Sequence, residues 1–112
     1  MPTEKLNKLL PPRDFQLLDV RTPHEWDEGH LPDARYLFLG DLPEKLRGLN
    51  PDKPVVVYCA SGYRSSLAAS LLQASGFRNV QNVPGSYGAW TAAKFPVVKP
   101  ASTNRKASDT ER

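Results

Sequence analysis

The sequence predicts an α/β fold, a central parallel sheet of about five short strands flanked by helices on both faces. Short apolar and β-branched runs, Phe15 to Val20 and Val55 to Tyr58 foremost, alternate with segments of helical spacing. The runs are apolar throughout rather than alternating, as befits strands covered on both faces. The chemistry-bearing residues Asp19 and Cys59 fall where those runs end. In parallel sheets, ligands bind beyond the carboxyl ends of the strands.

The elements follow in order. Thr3 can cap a short helix from Glu4 to about Leu10, with Leu6, Leu9 and Leu10 on one side, and Pro11-Pro12 ends it. Phe15 to Val20 is the first strand, with Asp19 and Arg21 at its end. Thr22-Pro23 reads as an N-cap followed by proline at the first helical position, opening a helix that stops at Gly29. Ala34 to Leu39 is expected to be a strand. A short helix should follow from Gly40 or Asp41, with Leu42, Leu46 and Leu49 as its apolar positions. Asn50 to Pro54 is a turn cluster. After Gly76, Asn79 to Val83 reads as a strand, and Pro84-Gly85 turns into a helix carrying Tyr87, Trp90 and Ala93, with Trp90 in the core.

The pivotal stretch is PVVVYCASGYRSSLAASLLQASG, Pro54 to Gly76. A four-residue strand, Val55 to Tyr58, runs into the loop CASGYR and then a helix from Ser65 to Ser75. Leu67, Ala68, Leu71, Leu72 and Ser75 recur at helical spacing, and Gly76 supplies a left-handed cap. The chain's single cysteine, Cys59, thus sits where a strand gives way to a helix. Backbone N–H groups and the helix dipole converge there and lower a thiol's pKa. Arg64 adds a charge that can reach an anion, and Gly62 lets the backbone turn with positive φ. A lone cysteine often serves as a small buried hydrophobe. That role needs neither the glycine nor the arginine that follow it.

Composition limits the alternatives. The 112 residues are enough for one core. We expect the domain at residues 1–96 and a polar, basic tail at 97–112, with Ala101 to Arg112 disordered for want of apolar periodicity. The formal net charge of +3 comes from residues 94–112, while residues 1–93 are neutral. A nucleic-acid surface would need clustered cations on the folded part, so none is expected. One cysteine forms no internal disulfide, so a cytoplasmic location is the default. No apolar run is long enough to span a membrane, the first residues lack signal-peptide order, and there are no internal repeats. His24 and His30 have no zinc-like spacing with Cys59, so no metal is expected. His30 is expected to pack at a turn with a ring nitrogen on the backbone.

Three segments together resemble the single-domain rhodaneses, the thiosulfate or persulfide sulfurtransferases. They are CASGYRS after its valine strand, LLDVRTPHEWDEGHLPDARYL from Leu17 to Leu37, and VPGSYGAW from Val83 to Trp90. The resemblance spans about Glu4 to Phe95. It implies a nucleophilic Cys59 and a substrate- and persulfide-binding loop of Ala60, Ser61, Gly62, Tyr63, Arg64 and Ser65. Arg64 would steer and bind the anionic donor, and Tyr63 would face the pocket mouth or solvent. Asp19 and Arg21 would brace the loop, with Arg21 paired to a carboxylate such as Glu25. A sulfane sulfur would pass from thiosulfate or a low-molecular-weight persulfide such as glutathione persulfide, through a Cys59 persulfide, to a thiol or cyanide, without a cofactor. A partner protein or fused domain of sulfur metabolism could accept it; neither nucleic acid nor membrane is implied. Asp33 and Ser86 replace glycines common in the family pattern, at places expected to lie away from the loop. Two rival functions stand beside this one. Cysteine–arginine phosphatases or arsenate reductases hold five residues between the two, whereas four separate Cys59 from Arg64. A non-enzymatic persulfide carrier or interaction module would need the same loop.

Overall fold

The computed structural model describes residues 1–100; the segment 101–112, expected to be disordered, lies outside the described residues. Among the described residues, four strands rather than about five form the sheet, all parallel, in the order β2-β1-β3-β4. They are β1 Gln16–Asp19, β2 Arg35–Tyr36, β3 Val55–Tyr58 and β4 Val80–Asn82. The helices are α1 Thr3–Leu9, α2 Pro23–Glu28, α3 Tyr63–Ala74 and α4 Ser86–Ala92.

Strand periodicity splits the core in two. Leu18, Val20, Val55, Val57 and Cys59 face one way, packed with Ala68 and Leu72 of α3 and with Leu42, Leu49 and Phe77. Leu17, Val56 and Tyr58 face the other way, with Leu6 of α1 and Trp90 of α4. Helices therefore cover both faces, as expected, and Trp90 is wholly buried.

The caps expected at Thr22 and Gly76 are present. Thr22 and Glu25 form a reciprocal capping box at the start of α2, with Pro23 at its first position and Gly29 closing it. Gly76, just past α3, sits at φ 101°. Four expectations need correction. Thr3 lies inside α1 and is buried, and Pro2 is the cap, without a side-chain bond. The second strand is only Arg35–Tyr36, and its sequel is two 3-10 turns, Leu39–Glu44 and Leu46–Gly48, rather than an α-helix. Gly40 and Gly48 weaken helix at either end, and the short segment between closes with the tighter 3-10 ladder. In α3, Ser65, Ala68 and Leu72 form the buried stripe, while Leu67 and Leu71 are 44% and 41% exposed one position round the helix. Beyond residue 96, in the stretch expected as tail, Val98 exchanges two backbone hydrogen bonds with His30, at 2.8 and 2.9 Å. Among the described residues, no helix is long and apolar enough to cross a membrane.

Candidate active site

β3 delivers Cys59 to the carboxyl end of the sheet, on the α3 face. Its neighbours in the sheet are fixed first: the Val20 amide donates to Tyr58 O at 3.2 Å and the Val83 amide to Val57 O at 3.2 Å. The next two carbonyls are taken by α4, whose Tyr87 and Gly88 amides donate to Cys59 O and Ala60 O, both at 2.9 Å. With those carbonyls held, the chain turns back through Ala60, Ser61 and Gly62. Gly62 stands at φ 120°, a conformation that side-chain-bearing residues rarely adopt, and its amide donates to Cys59 Sγ at 3.1 Å. α3 then begins at Tyr63, two residues earlier than the sequence suggested.

The residue Cys59 is 1% exposed. Burial pushes its thiol pKa up, but hydrogen bonds from the Ser65 hydroxyl and from the Ser65, Gly62 and Ser61 amides outweigh burial, so the net direction is down. The donors belong to the loop and the first turn of α3, where the helix dipole also favours an anion. The sulfur is thus the focus of a small cup of N–H and O–H groups. Tyr63, the first residue of α3, is 75% exposed.

Beneath the sulfur lies a group of polar side chains. Ser65 Oγ is 3.5 Å from Sγ, 2.5 Å from Asn82 Oδ1 and 3.4 Å from Ser86 Oγ. Ser86 Oγ accepts from the Cys59 amide at 3.2 Å and lies 3.9 Å from Sγ. The expectation that Ser86 sits away from the loop is therefore corrected: the turn between β4 and α4 folds directly under Cys59. Asn82 was not singled out in the sequence and nothing local marks it. Ser86 did carry a signal, a serine where the family pattern has glycine.

The charged residues pair differently from expectation. Arg21 does not bind Glu25. Its Nε reaches both Asp19 carboxylate oxygens at 3.0 Å, its Nη2 reaches Oδ2 at 2.7 Å, and Nη2 also donates to Gly29 O at 2.6 Å. Two-residue spacing at the end of β1 places both side chains on one face, where they are 0% and 3% exposed. Burial opposes the Arg21 charge, but Asp19 more than restores it, and its pKa is raised. The guanidinium lies 4.1 Å from the centre of the Tyr87 ring, and the Tyr87 amide holds Cys59 O. Asp19 and Arg21 thus reach the loop through Tyr87, without touching the sulfur.

Glu25 instead takes Arg64, Nη1 to Oε1 at 2.7 Å and Nη2 to Oε2 at 2.9 Å. Because α3 starts at Tyr63, Arg64 lies in its first turn and leans across to α2. Hydrogen bonding from Arg64 holds the Glu25 carboxyl at about 2. Arg64 thus ties α3 to α2 through Glu25, 39 residues away along the chain. His30 packs at its turn as expected, with Nδ1 2.9 Å from Leu31 O and its ring stacked 3.4 Å from Trp26.

The Rhodanese-like domain family matches residues 2–93. A sulfurtransferase of Allochromatium vinosum is 37% identical over 93 residues, covering 83% of this chain and 87% of that one. The thiosulfate sulfurtransferase GlpE of Pseudomonas syringae is 34% identical over 91 residues, covering 74% and 86%. The crystal structure of a rhodanese-related protein from Thermoplasma volcanium superposes with a TM-score of 0.81 at 30% identity, covering 89% of this chain and 97% of that one. A match that takes in β1, the cysteine loop and α4 alike leaves one assignment: the chain belongs to the rhodanese-like domain family.

Proposed function

We propose that this protein is a sulfurtransferase that carries sulfur on Cys59. The observation behind this reading is the thiol at the centre of the loop's N–H and O–H donors, with its pKa lowered. The relatives named as sulfurtransferases support it. In the first step the Cys59 thiolate attacks the outer sulfur of thiosulfate or of a low-molecular-weight persulfide. The donor's S–S bond breaks and its electron pair leaves with sulfite or a thiolate. Cys59 becomes a persulfide, whose terminal anionic sulfur is held by amides of the Ala60–Ser65 loop. In the second step cyanide or a thiolate attacks that terminal sulfur, and Cys59 departs as thiolate. The two steps balance without an external oxidant or reductant and predict ping-pong kinetics.

Both arginines of the site are already paired to carboxylates. Recognition of an anionic donor therefore falls mainly on the backbone amides. Four residues between Cys59 and Arg64 leave less room for a tetrahedral oxyanion than the five of phosphatase loops. The cytoplasm remains the proposed location.

Intact mass spectrometry tests the reading. Thiosulfate or glutathione persulfide should add about 32 Da, cyanide should remove it, and Cys59→Ser should show neither change. Sulfur loading without turnover would favour a persulfide carrier. Hydrolysis of phosphate esters without sulfur loading would replace the proposal with the phosphatase reading.

A further inference from the structure

Ser86 occupies a backbone conformation that costs a serine something and a glycine nothing: φ is 51° at the first residue of α4. Its side chain is 1% exposed. Its oxygen accepts from the Cys59 amide at 3.2 Å, and the structure gives that amide no other acceptor among the described residues. Its proton has three acceptors in reach: Val83 O at 3.3 Å, Ser65 Oγ at 3.4 Å and Cys59 Sγ at 3.9 Å. Ser65 is similarly divided between Asn82 Oδ1, Gly62 O at 3.1 Å and Cys59 Sγ.

We propose that Ser86 is a positioning residue for Cys59, fixing its amide and forming with Ser65 a pair of hydroxyls that turn toward the sulfur when it is a thiolate and away when it is not. The proposal rests on the persulfide reading for its consequence. In the resting protein the negative charge is on Sγ, and both hydroxyl protons gain most by pointing there. In the loaded protein the charge is on the terminal sulfur, Sγ is neutral, and the protons return to Asn82 Oδ1 and Val83 O. The pair thus favours the thiolate over the bridging sulfur and eases departure of Cys59 in the second step. Other charges near the loop are matched: Arg64 of α3 with Glu25 of α2, and Arg21 with Asp19 beside β1. The hydroxyl pair is left as the adjustable contact.

The test uses Ser86→Gly and Ser86→Ala. Glycine suits the φ of this position but leaves the buried Cys59 amide without its acceptor; the two effects oppose, so Ser86→Gly should stay folded with a melting temperature near wild type and serves even where Ser86→Ala folds poorly. The pH profile of iodoacetamide alkylation reads the thiol without any sulfur donor, so it stands apart from the proposed activity. Each variant should shift that profile upward by about half to one pH unit, and alkylation at neutral pH should slow about three- to ten-fold. Cyanide release of sulfur from loaded protein should slow as well. A wild-type alkylation profile in Ser86→Gly would overturn the proposal. A shifted profile with no sulfur loading in any form would leave Ser86 as a positioning residue and remove the sulfurtransferase reading instead.

Discussion

Replacing Glu25 by glutamine removes one charge from the strut between α2 and α3 and keeps nearly all of its shape. The amide oxygen can still accept from the Thr22 amide and hydroxyl, so the capping box survives and Arg64 loses an ionic partner. The Glu25 carboxyl is held at about 2 against an ordinary 4.5. A fall of about 2.5 pH units is worth about 3 kcal/mol if none of it is screened. Each side chain is 30% exposed, however, and ion pairs reached by water return only part of that, so we expect about 1–2 kcal/mol. The pKa is depressed in the folded state, so the stabilisation is whole above the unfolded value near 4.5 and is lost as pH falls toward 2. Urea unfolding at pH 7 should show Glu25→Gln weaker by that amount, with a melting temperature lower by about 5–10 °C. The gap should narrow below pH 4 and vanish near pH 2. A gap that stays constant from pH 7 to pH 2.5 would assign the loss to shape rather than charge, and no gap at pH 7 would mean the strut adds nothing.

Two further substitutions probe the supports behind the loop. Asp19→Asn leaves Arg21, only 3% exposed, with a neutral partner, and should cost about 3–5 kcal/mol in urea unfolding, well beyond the Glu25 change; a loss under about 1 kcal/mol would show that water reaches this guanidinium. Tyr58→Phe removes the buried hydroxyl that accepts from the Leu31 amide at 3.1 Å and should cost about 1–3 kcal/mol, and an unchanged melting curve would mean that amide finds another acceptor.

What could be read in the sequence was what neighbouring residues decide among themselves. β3 is Val55–Tyr58 as read, because four consecutive apolar residues suit a strand covered on both sides. Thr22 and Pro23 state their own helix start, and Glu25 completes the capping box in the structure. The leucines at 42, 46 and 49 carry helical spacing, yet the segment forms two 3-10 turns, and apolar spacing over so few residues does not separate the two ladders. Charge pairing was beyond reach for a different reason. Asp19, Arg21 and Glu25 are close in sequence, so pairing within the trio looked sufficient. Strand parity gives Arg21 to Asp19, within the trio, but Glu25 finds Arg64, 39 residues away.

The two broken glycine positions show where sequence reading stops. Asp33 and Ser86 both stand at positive φ, 63° and 51°, where glycine would be unstrained. From the sequence they are the same kind of departure. Asp33 lies exposed in the turn before β2, where its side chain meets water and the replacement costs only local strain. Ser86 lies buried with its oxygen on the Cys59 amide, 27 residues away along the chain. Strain at an exposed turn needs no compensation beyond the rest of the fold. Strain at a buried position beside the one thiol is retained together with a hydrogen bond that glycine cannot make. That difference, visible only once the β4–α4 turn is folded under the loop, separates a replacement that meets only water from one that holds the Cys59 amide.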